Sequence, residues 1–148
     1  RRGLFRSWQI RREFSYALRD TGLTKLNEDI VVPRSRLAAL FKFAERLQKK
    51  SGIPVACFGH AGDGNIHVNV MIDKSDPEQE VMGEKVLDAL FKQVLKWNGA
   101  ITGEHGVGLA KMPWIKQALS AESLALHQTL KSALDPKNIL NPGKFVQS

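Results

Sequence analysis

Two histidines flank a glycine-rich turn in this chain: His60, then Ala61-Gly62-Asp63-Gly64, then Asn65-Ile66-His67. From Asn65 to Ile72 polar and apolar residues alternate, so in a strand Asn65, His67 and Asn69 share one face and Ile66, Val68, Val70 and Ile72 the other. A tight hairpin at 61–64 sets His60 opposite Asn65 and makes His60 and His67 diagonal neighbours, roughly 7–8 Å apart at the backbone. Two imidazoles at that separation can converge on one metal ion. The third ligand expected is Glu104, in the loop Gly103-Glu104-His105-Gly106-Val107-Gly108. Three protein ligands and an open position characterise a catalytic metal site, and a His/His/carboxylate set suits zinc, manganese or iron. His105, pointing elsewhere, stays free to move protons near neutral pH.

Ordinary explanations compete with these. A hairpin histidine is commonly a hydrogen-bonded surface residue, and Gly62-Asp63-Gly64 is familiar turn chemistry. His127, alone on a helical segment, reads as structural. Arg11 is a sharper anomaly: it falls inside the apolar stripe Leu4, Phe5, Trp8, Ile10, Phe14 and Leu18, where a guanidinium is costly unless something anionic meets it.

The elements that must position these residues follow from periodicity. Residues 4–19 have helical spacing, and Thr24 to Val32 looks extended. Pro33 ends that stretch, and Ser35 can cap a helix from about 36 to 50 that buries Leu37, Leu40, Phe41, Ala44 and Leu47 before Gly52 stops it. Ile53 to His60 and Asn65 to Ile72 read as paired strands. Asp76-Pro77 opens a long helix carrying Val81, Leu87, Leu90, Phe91, Val94 and Leu95, which ends at Asn98-Gly99. A short extended piece, Ala100 to Thr102, leads into the glycine-rich loop, and two helices follow, one after Pro113 and one from Ser120 to Leu134. Strand, helix, strand, strand, helix, strand is the order of an α+β, ferredoxin-like antiparallel sheet with helices on one face, here with flanking N- and C-terminal helices. The other sheet face is left open for a ligand or a second domain. That topology sends the last strand away from the 60–65 hairpin, so Glu104 reaches His67 only if its loop swings back under the open face.

Length and composition bound the rest. The chain has 148 residues, enough for one domain with a real core, and 43% hydrophobic with 25% charged residues is ordinary for a soluble fold. No apolar run approaches the roughly 20 residues of a membrane span, so no transmembrane segment is expected. The single cysteine, Cys57, sits between Ala56 and Phe58 and suits a reducing compartment, with a cytoplasmic location as the default and any membrane association through partner subunits. The formal charge is +7, but residues 1–20 alone carry six arginines against Glu13 and Asp20, and no zinc finger or aromatic-interleaved groove accompanies them. No nucleic-acid partner is expected. The first residue is Arg1, which reads as a piece cut from a longer chain.

In order along the chain, Gly59-His60-Ala61-Gly62-Asp63-Gly64-Asn65-Ile66-His67, Gly103-Glu104-His105-Gly106-Val107-Gly108, Asp135-Pro136 and Asn141-Pro142-Gly143-Lys144 resemble the C-terminal domain of FAD-linked oxidases. These are the glycolate oxidase flavin subunits, D-lactate dehydrogenases and D-2-hydroxyglutarate dehydrogenases of the vanillyl-alcohol-oxidase superfamily. The resemblance implies that residues 1–148 are the substrate- and metal-binding part of an FAD-dependent 2-hydroxy acid dehydrogenase or oxidase whose FAD-binding domain is absent here. It implies His60, His67 and Glu104 as ligands of a divalent metal and His105 as the base. It further implies Arg11, Ser15, Lys25 and Asn69 as substrate contacts and Asn141 as a flavin contact. The implied partners are a small 2-hydroxy acid, the FAD-binding domain of the parent chain and an electron-accepting subunit. The residues alone also allow a self-contained metal-dependent hydrolase or a basic binding module.

Overall fold

The computed structural model describes residue 18 and residues 20–144. Apart from residue 18, the N-terminal helix expected over 4–19, with Arg11 and Ser15, lies outside the described residues.

Three strands, β1 (Thr24–Val31), β2 (Val55–His60) and β3 (Asn65–Ile72), form an antiparallel sheet in the order β1-β3-β2. Two helices, α1 (Leu37–Ser51) and α2 (Pro77–Lys96), pack on one face, and α3 (Met112–Ala118) and α4 (Ala121–Leu134) follow. The architecture is α+β, as the element order implies. Ala100 pairs with Val31 on the free edge of β1, Val31 N–H donating to Ala100 O at 3.0 Å and Ala100 N–H returning to Val31 O at 2.9 Å. The expected fourth strand is therefore a single bridge in the ferredoxin-like position.

The period-two pattern decides which face is buried. Ile30, Ile66, Val68, Val70 and Ile72 turn towards the helices and meet Leu40 of α1 and Val86, Leu87, Leu90, Phe91 and Val94 of α2. Each such side chain, once covered, contributes about 1.5–3 kcal/mol relative to exposure. Local signals start and stop the helices. Asp76 caps α2, its side chain accepting the Glu78 N–H at 2.9 Å with Pro77 in the first turn, and Ser120 caps α4 by accepting the Ser123 N–H at 3.2 Å. Gly52 ends α1 at φ 75°.

Three expectations fail. Ser35 does not cap α1, because Arg34–Arg36 form a 3-10 turn in which Arg36 N–H donates to Pro33 O at 2.7 Å. Phe41 is exposed, and the neighbouring Phe43 packs against the core instead, its ring edge-on to Trp97 at 5.9 Å. Val81 is 52% exposed, while Gly83 and Val86 of the same helix are buried, Gly83 facing Ile72 and Leu26 of the sheet. Among the described residues no helix is long and apolar enough to cross a membrane.

Candidate active site

The hairpin register matches expectation: His60 pairs with Asn65 and Phe58 with His67. His60 and His67 share a face, their rings 6.4 Å apart. The turn needs Gly64, which lies at φ 75° with no room for a Cβ, since one built there would sit 2.1 Å from Val32 O.

Glu104 reaches this face by a route the topology alone did not give. After the Ala100 bridge the chain follows β1 only as far as Gly103, whose N–H donates to Asp29 O at 3.2 Å. Asp29 is the direct partner of His67 across the sheet. The loop thus leaves the sheet at the level of His67 instead of running to its far end, and Glu104 Oε1 comes within 3.1 Å of His67 Nε2. Gly103 makes this approach possible, because a Cβ there would collide with the Asn65 amide at 1.7 Å. One ligand atom each from His60, His67 and Glu104 lies within 4.8 Å of the others. First-row divalent ions bind His nitrogen and carboxylate oxygen at about 2.0–2.2 Å, so a donor pair 3.1 Å apart can share one ion. The donor set fits such a metal. Burial, reinforced by the neighbouring His105 and His60 rings, holds the His67 pKa below its ordinary value despite the opposing pull of Glu104 and Asp29, and keeps its lone pair available.

His105 lies beside the cluster, its ring 5.3 Å from that of His67. Its Nδ1 is 3.6 Å from Asp29 Oδ1, and its Nε2 is 4.0 Å from Glu104 Oε1. One nitrogen therefore faces a fixed carboxylate and the other faces the cluster.

Asp29 is the residue the sequence reading missed. It is fully buried, and its Oδ2 accepts the N–H groups of Gly103 at 2.7 Å, Glu104 at 2.5 Å and His105 at 3.0 Å. Thr102 Oγ1 donates to Oδ1 at 3.3 Å, and the ammonium of Lys111, itself buried, donates to Oδ1 as well. Burial alone would raise its pKa. The Lys111 hydrogen bond and the three N–H groups outweigh that and hold the carboxyl far below the usual range. The available signal was position: in an alternating β1, Asp29 falls on the same face as Asn27 and Lys25.

The remaining candidates are dispersed. Lys25 lies on the histidine-bearing face opposite Met71. Asn69 is also on that face but fully buried, not exposed on an open sheet, its Nδ2 donating to Ala56 O at 3.2 Å. The face is closed at Asn65 as well, because the loop at Gly103 lies over it. Among the described residues, Asn27 Oδ1, both polar side-chain atoms of Asn65 and Asn69 Oδ1 are buried without a hydrogen-bond partner, the mark of a surface arranged for polar company. Asn141 sits apart, at φ 48° on the exposed loop after α4. That loop is gathered by Asp135, whose carboxylate accepts the N–H groups of Ile139 at 3.0 Å and Leu140 at 2.9 Å.

Known proteins share this arrangement of sequence. The chain is 38% identical over 137 residues to glycolate oxidase subunit GlcD of Bacillus subtilis, a match covering 93% of this chain and 29% of that protein. It is 36% identical over 141 residues to the mitochondrial D-lactate dehydrogenase (cytochrome) of Arabidopsis thaliana, covering 94% and 25%. With D-2-hydroxyglutarate dehydrogenase of Xanthomonas citri pv. viticola the identity is 31% over 145 residues, covering 95% and 30%. The chain spans less than a third of each of these relatives. Among solved structures, a 4-ethylphenol oxidase from Gulosibacter chungangensis in complex with isoeugenol superimposes with a TM-score of 0.60 over 82% of this chain and 24% of its own, at 20% identity, a likeness of fold. The family model for FAD linked oxidases, C-terminal domain, matches residues 2–145, and the chain belongs to that family.

Proposed function

We propose that this chain is the substrate- and metal-binding domain of an FAD-dependent 2-hydroxy acid dehydrogenase or oxidase. The observation that carries the reading is the meeting of His60, His67 and Glu104 beside His105, from a hairpin and a loop far apart in sequence. His60, His67 and Glu104 would hold a divalent metal, which when bound supplies Lewis acidity that lowers the pKa of a substrate hydroxyl. FAD, held by the rest of the parent chain, supplies the acceptor for the hydride that leaves the substrate α-carbon.

This chain's own residues bind, orient and move the proton. With Asp29 at its Nδ1 side, the His105 ring favours the tautomer protonated there, which leaves Nε2 as the base facing the cluster. His105 Nε2 accepts the hydroxyl proton as the alcohol is oxidised. Arg11 and Lys25 neutralise the substrate carboxylate, and Ser15 and Asn69 add polar contacts, Asn69 through its unpaired Oδ1. Asn141 belongs to the wall nearest the flavin. Reduced FAD must be reoxidised, which gives an electron-accepting subunit its place. A reducing, cytoplasmic setting suits the lone Cys57, whose thiol burial pushes up to about 11 and so keeps protonated.

The test is turnover by the full-length parent against glycolate, D-lactate and D-2-hydroxyglutarate with a dye as acceptor. Flavin reduction by at least one of the three is expected, and its loss in His105→Asn. An enzyme that reduces its flavin with none of them, or that keeps its rate without His105, defeats the reading.

A further inference from the structure

We propose that Asp29 is the positioning residue of this site, placing Glu104 and His105 through their backbone without touching substrate. The proposal rests on the reading of Glu104 as ligand and His105 as base, and it adds how the two are held. A single oxygen, Oδ2, accepts three consecutive N–H groups, from Gly103, Glu104 and His105, which fixes the backbone from which both functional side chains project. The other oxygen faces His105 Nδ1 at 3.6 Å, beyond hydrogen-bond reach, so it acts on the ring only through its charge.

The same carboxylate closes the loop at both ends. Thr102 Oγ1 meets it before the functional residues, and the Lys111 ammonium meets it after them. Lys111 also donates to Asp29 O at 3.3 Å and stands 3.6 Å from Glu28 Oε2. A carboxylate this deeply buried needs a counter-charge, and Lys111, buried with it, is that charge. Asp29 pairs with His67 across β1 and β3, so the loop it holds is anchored directly beside the strand that carries His67. Small errors in such positions are costly, since a displacement of about 1 Å can lower turnover roughly a hundredfold.

The experiment uses the full-length parent holoenzyme with divalent metal in excess. Asp29→Leu combined with Lys111→Met removes the acceptor and its counter-charge together, an exchange buried ion pairs commonly tolerate. Hydrogen exchange of the peptide spanning 102–107 should quicken by about a hundredfold while Val68 and Val70 in β3 keep their protection. In parallel, kcat should fall about a hundredfold with KM within about threefold. Asp29→Asn, which keeps the volume and one acceptor oxygen, should show the same pattern more weakly and serves if the double variant fails to fold. Unchanged exchange at 103–105 overturns the proposal, and so does protection lost equally across β3, which makes Asp29 a residue of the fold alone. Undiminished turnover in His105→Asn defeats the functional reading instead, and leaves the exchange result to judge Asp29.

Discussion

His67 Nε2 and Glu104 Oε1 stand 3.1 Å apart, although one belongs to the central strand and the other to a loop beyond α2. What brings them together is the shortness of the fourth strand. A full-length partner for β1 would carry residue 104 towards the end of the sheet where β1 begins. A single bridge at Ala100 releases the chain beside Asp29 instead, one strand away from His67.

If these residues form a metal site, His67→Ala and His60→Ala should each abolish stoichiometric metal in the purified parent while the far-UV circular dichroism stays as in the unaltered protein. Both side chains lie on the face away from the helices, so their loss removes no core contact. Elemental analysis of the two variants decides it. Full metal content in either removes that histidine from the ligand set.

The hairpin that presents the histidines offers a test between neighbouring glycines. Gly62→Ala meets open space at an ordinary φ and should leave stability within about 0.5 kcal/mol. Gly64→Ala must accept a positive φ and a Cβ against Val32 O, and should cost more than about 1 kcal/mol and disturb the His60–Asn65 pairing. Urea unfolding midpoints of the two variants compare them directly. Equal midpoints would show that the turn relaxes freely.

Much of this was legible in the sequence because it rests on period-two alternation and on strong turn and cap residues. The face of His67 and the His60–Asn65 pairing follow from the pleat, and the start of α2 from Asp76-Pro77. Helix phase was less legible. Phe41 and Phe43 are both aromatic, and only packing against Trp97 makes Phe43 the inward one. Least legible was Asp29, an acid in an extended stretch that ordinarily reads as solvated. Its partners come from residues 102–111, and no local pattern announces a contact made by tertiary folding.

Acid should weaken the metal-free domain in two stages. Burial lowers the His67 pKa in the folded state, so the unfolded chain takes up a proton first, and stability falls as the pH drops below about 6.5. Despite its burial, Asp29 resists protonation, held ionised by Lys111 and the loop N–H groups, so stability falls again below about 4. Glu28 works against this second stage. Its burial raises the folded pKa, so its protonation on the way down favours the folded state. Urea midpoints of the isolated domain across pH 8 to 3 should show both stages. His67→Gln should remove the upper one, and Asp29→Leu with Lys111→Met should diminish the lower, to which Asp73, Asp88, Glu122 and Asp135, whose carboxyls hydrogen bonds also hold below their ordinary range, contribute as well. A profile that the two substitutions leave unaltered means other groups control acid stability.

The isolated chain should neither retain flavin nor oxidise a hydroxy acid. A dinucleotide pyrophosphate is ordinarily bound by free backbone N–H groups at a glycine-rich turn entering a helix. The loop from Gly103 to Gly108 has the glycines, but its Gly103, Glu104 and His105 N–H groups are already spent on Asp29. What remains, Gly106 and Gly108 at positive φ, is too short a stretch to hold FAD unaided. The purified chain, mixed with excess FAD and desalted, should therefore show no absorbance between about 350 and 500 nm. Stoichiometric flavin after desalting would mean that the cofactor site lies in this domain, and that Asp29 gives up the loop N–H groups when the cofactor binds.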